Sequence, residues 1–142
     1  MRLCDQRGVL IDLSHLNAAG FRDVAAISTK PLVATHSNVH AICPCTRNLT
    51  DWQLAAIRES GGVVGLNFAT GFLRPDGRFL LDTPIDLMIR HVDALVEALG
   101  EDGVALGSDF DGAMMPAEIG DVTGVPKLLQ ALLDKGYGEK LV

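Results

Sequence analysis

The stretch that decides the fold is Val63-Val64-Gly65-Leu66-Asn67. Four apolar residues are closed by one polar residue, which is the length and composition of a buried strand. The same pattern occurs in three other places, where apolar runs again end in polar residues: Val9–Leu13, Leu32–Ala34 and Val104–Leu106. A helix-like segment follows each run, so the alternation predicts about four βα units in series.

The segments between the predicted strands have helical spacing and helical end signals. Asn17 and Thr50 each precede a segment with an apolar face and can cap a helix there. The most regular helix is predicted over Ile85–Leu99, and the last one over Pro126–Lys135. Short apolar strands separated by amphipathic helices are typical of a parallel sheet covered by helices, so the predicted fold class is α/β.

A polar side chain follows each predicted strand within one to three residues. These residues are His15, His36, Asn67 and Asp109. Because the carboxyl ends of parallel strands share one edge of a sheet, where ligands and reacting groups collect, we expect the four side chains to converge.

Composition excludes several classes of protein. The 142 residues carry a formal net charge of −6 and the pI is about 5.0, so there is no electrostatic footprint for nucleic acid. No apolar run approaches the length of a membrane span, and the first residues lack the apolar core of a secretory signal, so we expect a cytoplasmic chain. The odd count of three cysteines fits a reducing compartment.

His15 and His36 are the candidate metal ligands. They end consecutive predicted strands, and neighbouring parallel strands lie about 4.8 Å apart, so two imidazoles can reach one ion at about 2.0–2.1 Å each. The alternative is that each histidine only forms local hydrogen bonds.

Asp109 and Arg47 are the candidate catalytic and substrate-binding residues. A carboxylate at a strand end can bind a metal or act as a general base, although Asp109 lies among glycines that also favour a plain turn. The guanidinium of Arg47 suits a substrate carboxylate, whereas most loop arginines are simply solvated.

His40, Cys43 and Cys45 form a rival group of soft ligands. Structural zinc sites normally use four ligands with paired cysteine spacing, and the chain has no second pair, so we do not favour a metal site there. The chain also lacks a dinucleotide-binding glycine motif, a P-loop and a serine-hydrolase elbow.

Five short motifs occur in this order along the chain: Ile11-Asp12-Leu13-Ser14-His15, Ala34-Thr35-His36-Ser37-Asn38, Thr46-Arg47-Asn48, Val63-Val64-Gly65-Leu66-Asn67-Phe68 and Gly107-Ser108-Asp109-Phe110-Asp111-Gly112. Together they resemble the membrane dipeptidase (renal dipeptidase, peptidase M19) family. The resemblance covers essentially the whole chain but only the C-terminal half of the family's (β/α)8 TIM-type barrel, which is of the amidohydrolase type.

The resemblance implies a zinc-dependent dipeptidase whose intact site holds two zinc ions. His15 and His36 match two histidines that bind one of the zincs. Arg47 matches the arginine that holds the terminal carboxylate of the dipeptide substrate. Asp109 matches the aspartate that contacts the substrate and handles the proton of the attacking water.

The chain departs from the family pattern in its ligand set. The His-x-Asp zinc ligands, the bridging glutamate and a further substrate-binding histidine of the family have no counterpart here, so we expect at most one partial zinc site. Of the family's His-x-Asp-His run, His91 is kept and the second histidine is replaced by Ala94. Four βα units are about half of a barrel of eight, so residues 1–142 are expected to form a single partial barrel domain truncated at both ends.

These observations predict a fragment of a zinc dipeptidase with little activity of its own. The alternatives are a non-catalytic α/β fragment and another metal-dependent hydrolase of the amidohydrolase type. An open half barrel exposes strand edges, so we also expect association of copies through these edges.

Overall fold

A three-stranded parallel sheet with helices packed against it organises the chain. The computed structural model describes residues 1–142. The strands are β1 (Val33–Ala34), β2 (Val63–Leu66) and β3 (Val104–Leu106), in the spatial order β1-β2-β3. The helices are α1 (Arg2–Arg7), α2 (Ala18–Ile27), α3 (Asp51–Glu59), α4 (Thr70–Leu73), α5 (Ile85–Leu99) and α6 (Val125–Lys135), with 3-10 turns at Glu101–Gly103 and Val122–Gly124.

The central strand fixes the register of the sheet. Val63 lies opposite Val33, and Val64 lies opposite Val104. Val64 and Leu66 are fully buried, as expected for a strand covered by helices. The polar residues that follow the three strands therefore leave the sheet at the same edge.

The helix ends follow the signals in the sequence. The Asn17 side chain accepts a hydrogen bond from the Gly20 N–H (2.8 Å), and the Gln53 side chain accepts one from the Thr50 N–H (2.9 Å). Helix α5 has the predicted bounds, and α6 begins one residue earlier than predicted, at Val125. None of the helices combines the length and apolar composition that crossing a membrane requires.

The first predicted strand, Val9–Leu13, is not formed as a strand. Only Asp12 pairs with Val33, and Leu13 donates one hydrogen bond to the Val33 carbonyl (2.9 Å). Two features account for this: the Val9 N–H bonds to the Cys4 carbonyl (2.9 Å) and closes α1, and the neighbouring strand β1 is only two residues long. Val9 and Leu10 are more than half exposed as a result.

One further segment differs from the sequence pattern, and another agrees with it. Residues 70–73 lie in a stretch rich in glycine and proline, which predicts a loop, but they form the short helix α4. Residues 137–142 have the pattern of a helix that stops after its first turn, and they form a single turn in which the Val142 N–H bonds to the Gly138 carbonyl (3.1 Å).

His91 is a buried connector between three parts of the fold. Its Nδ1 accepts the Val39 N–H (3.2 Å), so its proton is on Nε2, which lies 3.1 Å from the Leu73 carbonyl. The ring thereby ties α5 to α4 and to the loop after β1. Burial lowers the pKa of His91 to about 4, so the imidazole is neutral in the folded chain.

We predict that acid weakens the fold through His91. Its folded-state pKa lies below the ordinary value of 6.5, so its contribution is complete above that value and is lost as the pH falls toward 4. The free energy of unfolding should fall by about 2 kcal/mol between about pH 7.5 and about pH 5, as measured by urea denaturation. His91→Gln should flatten this dependence, and His40→Ala should not. The prediction would be contradicted if the free energy of unfolding fell equally with pH in His91→Gln and in the unmutated chain.

Candidate functional site

The predicted strand-end residues meet at the carboxyl edge of the sheet. The Nε2 atoms of His15 and His36 are 3.0 Å apart, and the ring centroids are 5.0 Å apart. Asn67 and Asp109 also meet there, with the Asn67 amide donating to the Asp109 carboxylate (3.1 Å). The expected convergence of His15, His36, Asn67 and Asp109 is therefore confirmed as geometry.

The backbone at this edge is bent to aim two of the side chains. His15 and Asp109 both have left-handed backbone angles, with φ values of 68° and 63°. Such angles are uncommon outside glycine and cost of order 1 kcal/mol, and they concentrate at functional sites. Asp109 occupies the turn that its glycine-rich surroundings predicted, so the turn and the half-buried carboxylate belong to the same feature.

A hydrogen-bond network holds His36 from the side opposite to His15. The Thr35 hydroxyl lies 2.7 Å from His36 Nδ1 and donates to Asp12 Oδ2 (2.5 Å). Asp12 Oδ1 accepts the backbone N–H groups of Ser14 and Thr35, each at 2.9 Å. Burial alone would raise the pKa of Asp12, but the hydrogen bonds from Thr35 and Ser14 together lower it below the ordinary value.

Asp12 and Thr35 were assigned no role from the sequence. Both residues stand in the motifs quoted above, and the available signal was a carboxylate inside the otherwise apolar run Val9–Leu13. A charged residue in a run predicted to be buried needs a polar partner, and the structure supplies one in Thr35.

Arg47 approaches the same edge from the loop after β1. Its guanidinium donates to the His36 carbonyl (3.1 Å) and lies over the Phe72 ring, 5.3 Å from the centroid. Its Nε atom is buried without a hydrogen-bond partner. Burial lowers the pKa of Arg47, while the nearby Asp109 acts in the opposite direction. A half-buried guanidinium with an unused donor is suited to an anionic ligand.

The two imidazoles fit one metal ion. Their nitrogens are closer together than the sum of two zinc–nitrogen bonds of about 2.0–2.1 Å each, so both can reach the same ion. No group of three or more His, Cys, Asp or Glu side chains is spaced to hold a metal, so the chain offers a pair of ligands.

The rival group does not assemble into such a site. Cys43 is buried, and burial first, with Cys45 nearby, raises the pKa of its thiol to about 12. A metal ligand must be a thiolate, so this thiol is poorly suited to bind one. Neither Cys43 nor Cys45 is in a disulfide.

Two glycines let the chain reach this geometry. The Thr35 carbonyl lies where a side chain would start on both Gly65 and Gly107, closer than real Cβ atoms approach an oxygen. Because Gly65 and Gly107 are in or next to neighbouring strands, the end of β1 can fold across the sheet only where both side chains are missing. This close approach places Thr35 and His36 over the edge.

The whole chain matches the model of one protein family. The model of the membrane dipeptidase family, peptidase family M19, matches residues 1–142. The chain belongs to this family. The family and the α/β fold class predicted from the sequence are both confirmed.

The similar proteins are longer than this chain. An uncharacterized Klebsiella pneumoniae protein in the pqqA 5′ region is 58% identical over 129 residues, which cover 91% of this chain and 48% of that protein. A Rhodobacter sphaeroides metallopeptidase, solved with a phosphinate mimic of the dipeptide L-Ala-D-Ala, is 57% identical with a TM-score of 0.97. The match covers 99% of this chain and 40% of the metallopeptidase.

A second solved structure gives the same result. The metallopeptidase dipeptidase AC, of family M19, is 57% identical with a TM-score of 0.97, over 99% of this chain and 41% of its own. The chain thus spans less than half the length of each of these three relatives.

We predict that a methyl group at Gly65 or Gly107 destabilises the edge. Gly65→Ala and Gly107→Ala should each lower the free energy of unfolding by about 1–3 kcal/mol, because the Thr35 carbonyl has to move. Urea denaturation measures the loss. Gly138→Ala is the matched control, since open space surrounds that position. Equal stability of Gly107→Ala and Gly138→Ala would refute the packing argument.

Proposed function

We propose that this chain contributes part of the active site of a zinc-dependent dipeptidase. The observation that carries the proposal is the His15–His36 pair, with its Nε2 atoms 3.0 Å apart, in a member of the membrane dipeptidase family. Asp109 and Arg47 border the same pair, and they supply a base and a cation. The complete site belongs in this proposal to a (β/α)8 barrel of which the chain forms the C-terminal half.

In the proposed site, His15 and His36 hold one zinc ion through their Nε2 atoms. A bound zinc would polarise the scissile carbonyl and acidify the attacking water. The chain supplies two imidazoles, whereas a catalytic zinc generally has three protein ligands. We therefore propose one partial metal site in the isolated chain.

Asp109 is the proposed proton carrier. Its carboxylate stands at the strand edge, and the Asn67 amide holds Oδ2 in place. Asn67 is itself fixed, because its Oδ1 accepts the Ala69 N–H (2.7 Å) and its side chain is fully buried. A carboxylate held in this way can take the proton of the attacking water and return it to the leaving amine.

Arg47 is the proposed contact for the substrate carboxylate. Every dipeptide ends in a carboxylate, which a guanidinium can bind with two parallel hydrogen bonds. The ligand of the Rhodobacter sphaeroides metallopeptidase mimics L-Ala-D-Ala, which supports dipeptides of this kind as substrates. Stacking on Phe72 and the bond to the His36 carbonyl hold the guanidinium next to the histidine pair.

We predict that the chain binds Zn²⁺ through both histidines. Isothermal titration of the metal-free chain with Zn²⁺ should show one ion per chain, and His15→Ala or His36→Ala should weaken binding by at least about tenfold through the loss of one ligand. His40→Ala is the matched control, because it removes an imidazole outside the pair. Unchanged affinity in both His15→Ala and His36→Ala would refute the metal site.

The same chain should hydrolyse L-Ala-D-Ala weakly or not at all. The physical reason is that the site has two protein ligands, whereas a catalytic zinc generally has three. The release of alanine in the presence of added Zn²⁺ measures the activity. Robust turnover that disappears in His36→Ala would show that the isolated chain is a complete enzyme and would overturn the partial-site proposal.

We predict that Arg47 recognises the substrate carboxylate. Arg47→Ala should weaken L-Ala-D-Ala binding to the zinc-loaded chain by about tenfold or more, the usual contribution of a charged hydrogen bond. The C-terminal amide of the same dipeptide should bind both chains equally, as followed by NMR titration. Arg22→Ala is the matched control, because Arg22 also lies over an aromatic ring, Trp52, at 4.6 Å. An equal loss for the dipeptide and its amide would contradict this role.

Association of copies is part of the proposal as well. Val9 and Leu10, in the segment that does not form a strand, and Leu106 of the edge strand β3 leave apolar side chains exposed at 55%, 59% and 44%. Exposed strand edges with apolar side chains favour pairing with a further strand.

A further inference from the structure

The environment of His36 determines which of its two nitrogens carries the proton. His36 Nδ1 has one neighbour in hydrogen-bond distance on its side of the ring, the Thr35 hydroxyl at 2.7 Å. His36 Nε2 faces His15 Nε2. A neutral imidazole has one N–H and one lone pair, so fixing the role of Nδ1 also fixes the role of Nε2.

Proton counting at Thr35 fixes the role of Nδ1. A hydroxyl has a single proton, and the Thr35 hydroxyl donates it to Asp12 Oδ2 at 2.5 Å. An ionised carboxylate can only accept, so the direction of this bond cannot be reversed. The bond between Thr35 and His36 therefore has to use a proton from Nδ1, with the Thr35 oxygen as acceptor.

Asp12 is anchored so that it cannot turn away. Its Oδ1 accepts the Ser14 and Thr35 N–H groups at 2.9 Å each, which leaves Oδ2 pointing at the Thr35 hydroxyl. The His36 backbone is held as well, because its N–H donates to the Ser14 hydroxyl (3.0 Å). The separation of 3.9 Å between Asp12 Oδ2 and His36 Nδ1 places Thr35 between them as the connecting group.

We propose that Asp12 and Thr35 are positioning residues that hold His36 as the Nδ1–H tautomer, with the Nε2 lone pair directed at the metal position beside His15. The inference rests on the proposed function, because it assigns Nε2 of His36 to the zinc. A partner that fixes the tautomer of a ligand histidine typically changes metal affinity by about 10- to 100-fold.

Asp12→Asn offers a sharp test because it should exchange donor and acceptor in the hydrogen bonds that run from residue 12 through Thr35 to His36. The oxygen of the introduced amide would stay on the two backbone N–H groups, since an amide nitrogen cannot accept them, and the amide NH2 would replace Oδ2. This NH2 group would donate to the Thr35 oxygen and turn the Thr35 proton toward His36 Nδ1. His36 should then become the Nε2–H tautomer, whose Nε2 has no free lone pair.

The tautomer can be observed directly in the metal-free 142-residue chain. Long-range ¹H–¹⁵N correlation spectra at about pH 8.5, where imidazole is neutral, distinguish protonated from unprotonated ring nitrogens. The His36 signals are assigned by their loss in His36→Gln. We expect Nδ1–H in the unmutated chain and in Thr35→Ser, which keeps the hydroxyl. We expect Nε2–H in Asp12→Asn and a mixture in Thr35→Val.

The outcomes separate this inference from the dipeptidase proposal. Predominant Nδ1–H in Asp12→Asn overturns the inference, whatever the chain binds. Should Asp12→Asn fail to fold by circular dichroism, Asp12→Ala is the second variant, since it removes the carboxylate that takes the Thr35 proton, and predominant Nδ1–H there overturns the inference equally. Titration with Zn²⁺ alone is the second readout, with an expected loss of about 10- to 100-fold in Asp12→Asn and none in Thr35→Ser. A reversed tautomer without zinc binding in any chain would support the positioning role and refute the proposed zinc site.

Discussion

The parallel register of the three strands is the constraint on which the rest of the structure depends. Val64 pairs with Val104 and Val63 with Val33, so the strands end at one edge of the sheet. The polar residues that follow the strands therefore lie at that edge. The register alone does not bring the imidazoles together. The end of β1 has to cross the sheet, and the missing side chains of Gly65 and Gly107 make room for the Thr35 carbonyl. The packing of the Thr35 carbonyl against Gly65 and Gly107 thus helps to set the distance between His36 and His15 at the edge.

Features that follow from local chemistry could be predicted from the sequence. The apolar runs of β2 and β3, the cap at Asn17 and the apolar spacing of α5 each depend on residues close in the chain, and they were predicted correctly. The site edge was predictable for the same reason, because parallel strands end on one side whatever the loops do. His15, His36 and Asp109, with their candidate roles as metal ligands and general base, therefore came from the pattern, and the family resemblance added the dipeptidase reaction in which they would act.

Features that depend on distant partners could not be predicted. Val9–Leu13 has the composition of a strand, but the Val9 N–H is bound to the Cys4 carbonyl. An apolar pattern does not predict this hydrogen bond. The network of Asp12 joins residues 23 positions apart and exists only because Asp12 lies beside Val33. The burial of His91 is similar, since its two partners, Val39 and Leu73, lie 52 and 18 positions away. Each miss is a case in which tertiary contacts override local preference.

Electrostatics at the edge favour the neutral imidazole of His15 over its imidazolium form. Burial, and then the charges of Arg47 and His36, lower the pKa of His15, while Asp109 and Asp12 act in the opposite direction. A metal ion has to displace a proton from any charged imidazole, so a lower pKa leaves the lone pair available at neutral pH. Arg47 thus has two effects that belong together. It places a cation where the carboxylate of the proposed substrate would bind, and the same charge disfavours protonation of His15, a proposed metal ligand.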